Sequence, residues 1–75
     1  MFNNDKKFDK VMELIDANMD YEFHLAAEYE SRALGAEDKC NRTSEENEQL
    51  AREHLHEFLT YALLKQKILD ATGDL

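Results

Sequence analysis

Gly35-Ala36-Glu37-Asp38-Lys39-Cys40-Asn41-Arg42, running into Thr43-Ser44-Glu45-Glu46, decides the fold. The first eight of these residues are mostly polar and lack helical periodicity, and they open on a glycine, the residue best suited to follow a helix C-terminus. The next four spell a capping box, in which the Thr43 hydroxyl accepts from a backbone N–H while the Glu46 carboxylate reaches back to Thr43. One helix therefore ends here and another begins. Elsewhere the chain has no proline and only one further glycine, Gly73, so nothing else breaks a helix. The fold class read from this pattern is all-α: two long antiparallel helices, an αα-hairpin completing a helical bundle by oligomerisation. The expected helices cover about 5–34 and about 44–71, with a loop over about 35–43, in a single domain spanning 1–75. Asn4 or Asp5 is the expected N-cap of the first helix, and Gly73 closes the second ahead of a frayed tail.

At 75 residues the chain is one small unit. Chains of this size rarely bury enough apolar surface alone and lean on disulfides, a metal or a partner chain. Cys40 is the sole cysteine and forms no internal disulfide, which leaves the metal and the partner. Lys and Arg number 9 against 17 Asp and Glu, a net charge of -8. That balance is the reverse of the basic footprint that phosphate backbones and anionic membranes require, so direct nucleic-acid binding is not expected. The longest apolar stretch, near Phe58 to Leu64, falls far short of the roughly 18–20 residues of a membrane span. The opening Met1-Phe2-Asn3-Asn4-Asp5-Lys6-Lys7 leads into an amphipathic, charged segment without the apolar core of a signal peptide, so the expected compartment is the cytoplasm. A hydrophobic content of 43% argues for an ordered chain.

At about 100° per residue the first helix sorts into two faces. Lys6, Asp9, Lys10, Glu13, Asp16, Asp20, His24, Glu28 and Ser31 form the solvated one. Opposite lie Phe8, Val11, Met12, Ile15, Met19, Ala26, Tyr29 and Ala33, near a heptad seam. The second helix carries two stripes: Ala51, Leu55, Phe58, Leu59, Ala62 and Leu69 on one side, Leu50, Tyr61, Leu64 and Ile68 on another. Two helices cover one stripe, so the surplus predicts an oligomer interface at Leu50, Tyr61, Leu64 and Ile68.

Glu22 falls in the middle of the first helix's apolar face, between Met19 and Ala26. A carboxylate there must be paired, neutralised or metal-bound. Folding the chain back at the loop sets Glu22 opposite about His54 to Thr60, a window that includes His54, His56 and Glu57. Pairing with a histidine or arginine across the interface is the simpler expectation. The alternative is a carboxylate-bridged di-metal site, because Glu53 and His56 form a Glu-x-x-His on one helix face and Glu22 supplies a further carboxylate. On these residues the chain resembles the half-ferritin subunits of encapsulated ferritins, two-helix chains that assemble in pairs around a ferroxidase centre. That resemblance implies iron as cofactor, Glu22, Glu53 and His56 as its ligands, and a ferroxidase-like activity.

Ala51-Arg52-Glu53-His54-Leu55-His56-Glu57 also resembles the second-helix segment of small phage hairpin proteins that sequester cyclic nucleotides of bacterial immunity. That resemblance implies a symmetric oligomer with the second messenger held between subunits, and only Arg42, Arg52, Lys65 and Lys67 are available in this half as phosphate contacts.

Glu13, Asp16, Asp20 and Glu28 form an acidic stripe in a stretch without Lys or Arg between Val11 and Ser31, a surface suited to a basic partner. Nucleophilic catalysis has little to build on: Cys40 has no adjacent histidine, and Thr43 and Ser44 are better explained as caps. The expectation is a self-associating acidic helical protein that works by docking to a protein partner, as an inhibitor or adaptor, rather than by catalysis.

Overall fold

Gly35 adopts φ +115°, a conformation open to glycine and costly to residues with a Cβ. The N–H of Ala36 donates to the Ser31 carbonyl and that of Gly35 to the Arg32 carbonyl, both at 3.1 Å, the paired bonds of a Schellman motif. At the far end of the loop the Thr43 N–H donates to Glu46 Oε1 and the Glu46 N–H donates to Thr43 Oγ1, both at 3.1 Å. The capping box thus forms as its spelling predicts. In the computed structural model, which describes the backbone of residues 2–73 and the side chains of residues 6–73, these signals separate helix α1, Phe2–Ala33, from helix α2, Ser44–Gly73. Together the two make an antiparallel αα-hairpin.

The helix ends depart modestly from expectation. Because α1 begins at Phe2, Asn4 and Asp5 lie inside it and do not cap it; either residue costs a helix only a few tenths of a kcal/mol. Gly73 belongs to α2, since one glycine weakens a helix by about 1 kcal/mol without ending it. The tail beyond Gly73 lies outside the described residues.

Each helix carries a seam with alternating steps of four and three, the heptad spacing that keeps one side of a helix against a neighbour. On α1 it runs Phe8, Met12, Ile15, Met19, Glu22, Ala26, Tyr29, Ala33; on α2 it runs Asn47, Ala51, His54, Phe58, Tyr61, Lys65, Ile68. Ile15, Ala26, Ala51 and Asn47 are buried, and the other seam residues are half-buried. All nine residues of the expected solvated face of α1 are exposed. Val11, read as core, is 44% exposed because it sits beside the seam and not on it.

The stripes of α2 require a larger correction. Neither one is the covered stripe. The seam runs between them, taking Ala51 and Phe58 from the first and Tyr61 and Ile68 from the second, while Leu55, Leu59 and Leu69 stay exposed. Polar residues at seam positions account for this. Asn47, His54 and Lys65 face the hairpin because each meets an acid there: the Asn47 amide bonds Asp38, His54 meets Glu22, and Lys65 meets Asp16.

The hairpin measures 52 × 18 × 12 Å, a slab one helix thick. A single layer leaves its seam open to water on both broad faces. Among the described residues only Ile15, Ala26 and Ala51 are buried and apolar, and two of these are alanines, which fill little space. Exposed apolar surface follows from that geometry.

Candidate functional site

Glu22 is held in the seam by α1 and His54 by α2, and the carboxylate Oε2 lies 2.6 Å from the imidazole Nδ1. The side chains are 15% and 25% exposed. Tyr29, seven residues after Glu22 and so on the same seam, stacks on the His54 ring with centroids 5.4 Å apart and planes 5° from parallel. The guanidinium groups of Arg32 and Arg42 lie 5.3 and 5.4 Å from the Tyr29 centroid, within cation–π reach. Glu22 is thus paired across the interface with a histidine, as the simpler expectation had it.

The other two expected iron ligands are not brought to Glu22 within one hairpin. Glu53 and His56 are exposed, and Glu53 accepts a bond from Gln49 Nε2 at 3.3 Å. Among the described residues no three His, Cys, Asp or Glu side chains converge as a metal site. The cations available for phosphate are largely engaged as well. Arg42 pairs with Asp38 at 3.4 Å, Arg52 with Glu48 at 2.6 Å and Lys65 with Asp16 at 2.7 Å, while Lys67 is exposed.

Asp38 organises the loop. Its carboxylate accepts from the Cys40 backbone N–H at 2.8 Å, and Asn41 follows with φ 55°, a left-handed conformation that asparagine tolerates. Burial raises the Asp38 pKa, but the Cys40 N–H, the Asn47 amide and the Arg42 guanidinium outweigh it and hold the carboxyl below its ordinary value of 3.8. Burial likewise lowers the Arg42 pKa, and the negative charges that Cys40, Asp38 and Tyr29 carry when ionised outweigh it and raise it. The Asn47 side chain is 1% exposed, and its Oδ1 has no partner among the described residues.

One further feature of the surface is apolar. A shallow groove of about 300 Å³ opens on one broad face, lined by Phe23, Ala26, Ala27, Ala51 and Leu55, with Glu30, Glu48 and Arg52 at its rim. Its origin is local: alanines at the seam on both helices, Ala26 and Ala51, leave space that larger residues would fill. Phe23 is 52% exposed and Leu55 44%, with the Phe23 ring tilted against Phe58 at 5.6 Å between centroids. Since this groove joins Phe23 and Glu30 of α1 to Glu48 and Leu55 of α2, those flanks share one face of the slab. By the same rotation per residue Leu14, Tyr21 and Leu25 of α1 lie on the opposite face, together with Leu50 and Leu64 of α2.

The acidic stripe divides between these faces. Glu13, Asp16 and Asp20 lie on the groove side, where Asp16 pairs with Lys65, whereas Glu28 lies on the other and pairs with Arg32 at 3.7 Å. Of the residues expected at an oligomer interface, Leu50, Tyr61 and Ile68 are half-buried along the edge of the seam and Leu64 is 45% exposed. Of the four, Leu50 and Leu64 belong to the face opposite the groove, and Tyr61 and Ile68 to the seam. Sequence reasoning missed Phe23, which hides one place after the seam residue Glu22. It also missed Leu14, Tyr21 and Leu25, although their steps of seven and four after Leu14 are a helical signal in their own right. No helix among the described residues is long and apolar enough to cross a membrane. The chain matches no family of known proteins, no curated protein and no solved structure.

Proposed function

We propose that this chain is a self-associating helical docking module, a small acidic protein that acts by binding a protein partner, as an inhibitor or adaptor, and not by catalysis. The observation that carries this reading is apolar exposure: among the described residues ten large hydrophobics, from Leu69 at 41% to Leu34 at 80%, face solvent on a slab 12 Å thick. Apolar surface gathered on one face of the hairpin, as at Phe23 and Leu55, marks an interaction site.

Self-association is assigned to the face bearing Leu14, Tyr21, Leu25, Leu50 and Leu64. Two hairpins stacked on that face would make a four-helix bundle and supply the second layer that a single hairpin lacks. Native mass spectrometry on protein expressed with iron available tests the reading, because one spectrum reports both assembly mass and any retained metal. A metal-free dimer or higher oligomer is the expected result. A monomer that keeps its helix content at micromolar concentration would remove self-association. Iron retained by each subunit pair would replace the docking reading with the ferritin-like one.

A further inference from the structure

The charges around the groove at Phe23 and Leu55 select its occupant. Five carboxylates lie on the groove side or at its rim: Glu13, Asp16, Asp20, Glu30 and Glu48. The two cations beside them are already committed, Arg52 to Glu48 at 2.6 Å and Lys65 to Asp16 at 2.7 Å. Glu13, Asp20 and Glu30 have no cation within 4 Å among the described residues. A second copy seated here by two-fold symmetry would set these acids against their own images, in a chain of net charge -8, and like charges juxtaposed at an interface oppose association.

We infer that the groove receives an amphipathic helix from a partner protein, its apolar side chains set between Phe23 and Leu55 over Ala26, Ala27 and Ala51, and its Lys or Arg residues reaching Glu13, Asp20 and Glu30. The mode is helix-in-groove recognition, in which anchors at i, i+3 or i+4 and i+7 enter an apolar trough. Alanines on the floor let the incoming backbone approach closely. Flanking carboxylates raise the rate of encounter and exclude acidic helices. This inference rests on the docking reading above and adds the chemistry of the partner and the face that it uses.

The test uses the full chain and a fluorescein-labelled peptide of about 18 residues, with Leu at helical spacing and Lys elsewhere, against a control carrying Glu in place of Lys. Fluorescence anisotropy should show the Lys peptide binding at least about tenfold more tightly than the Glu peptide, with the advantage shrinking between about 50 and about 300 mM NaCl. Phe23→Ser and Leu55→Ser, both at exposed positions, should each weaken it about tenfold or more. Asp20→Lys combined with Glu30→Lys should remove the preference for Lys. Leu14→Ser combined with Leu64→Ser, on the other face, should leave peptide affinity unchanged while lowering the assembly mass. Equal binding of the two peptides, or affinity indifferent to Phe23→Ser, overturns the inference. So does a fall in assembly mass on Phe23→Ser, which would show a second copy in the groove. If the peptide fails to bind but the chain still assembles through Leu14 and Leu64, only the groove assignment is lost; a helical monomer that binds nothing removes the docking reading itself.

Discussion

The Glu22 carboxylate and the His54 imidazole lie 2.6 Å apart between the helices, 32 residues apart in sequence. This pair sets the register of the hairpin midway along the seam, with Tyr29 stacked on the far side of the pairing through its contact with His54. Truncating one member strands the other in a largely dehydrated place. Glu22→Ala should therefore destabilise the fold by about 1–3 kcal/mol. Replacing both, as Glu22→Leu with His54→Leu, should restore much of that loss, because well-packed apolar residues often match or exceed a buried ion pair. Urea denaturation of Glu22→Leu, of His54→Leu and of the double variant reads the coupling directly. Equal, additive losses would mean that the contact contributes nothing.

The loop gives acid sensitivity a definite sign. Asp38 titrates below 3.8 in the folded chain, so the unfolded chain takes up its proton first as pH falls. Its contribution is fully present above that ordinary value and is lost as pH drops below it, through the folded pKa. Asp38→Asn keeps the shape and abolishes the titration. The difference in urea midpoint between wild type and Asp38→Asn should be widest near about pH 6 and should narrow by about pH 2.5. A gap that does not change with pH would assign the effect to the hydrogen bonds of Asp38 and not to its charge.

The two helix-end devices should fail separately. A Cβ at Gly35 meets nothing within 4 Å, but φ there is +115°, so Gly35→Ala should cost about 1–2 kcal/mol through backbone strain alone. Thr43→Ala removes the acceptor for the Glu46 N–H and should cost about 1 kcal/mol. The motifs share no hydrogen bond, and the double variant should lose the sum within about 0.5 kcal/mol. A sum that falls well short would show that the loop yields as one unit.

Much of the hairpin is legible without coordinates because its signals are short-range. Gly35 and the Thr43 to Glu46 box need only a few neighbours to act, and the α1 seam is mostly apolar, so spacing reveals it. Glu22 stands out because it is a charge on that seam, and loop position alone brings the His54 end of α2 opposite. The α2 seam is harder to read, since Asn47, His54 and Lys65 interrupt its apolar pattern and their partners, Asp38, Glu22 and Asp16, appear only once the register is known. The groove is not legible at all from spacing. It arises because alanines at two seam positions, Ala26 and Ala51, coincide across the interface, and such a coincidence is a property of the pair of helices and of neither sequence segment alone.

The proposed self-association would make stability depend on concentration. With Ile15, Ala26 and Ala51 as the buried apolar residues among those described, one hairpin has little core to set against the entropy of ordering its chain. If folding is completed by pairing, mass action adds RT ln 10, about 1.4 kcal/mol per dimer, for each tenfold rise in concentration. For a unit of twice 75 residues this corresponds to a rise in Tm of roughly 3–6 °C per tenfold. Thermal melts followed by circular dichroism over a hundredfold range of concentration should show that slope. The same melts on Leu14→Ser combined with Leu64→Ser should show a lower, flatter Tm, because the paired face is lost while the Glu22 to His54 seam is untouched. A Tm independent of concentration in the unaltered chain would mean that the hairpin stands alone and that its exposed apolar faces await other partners.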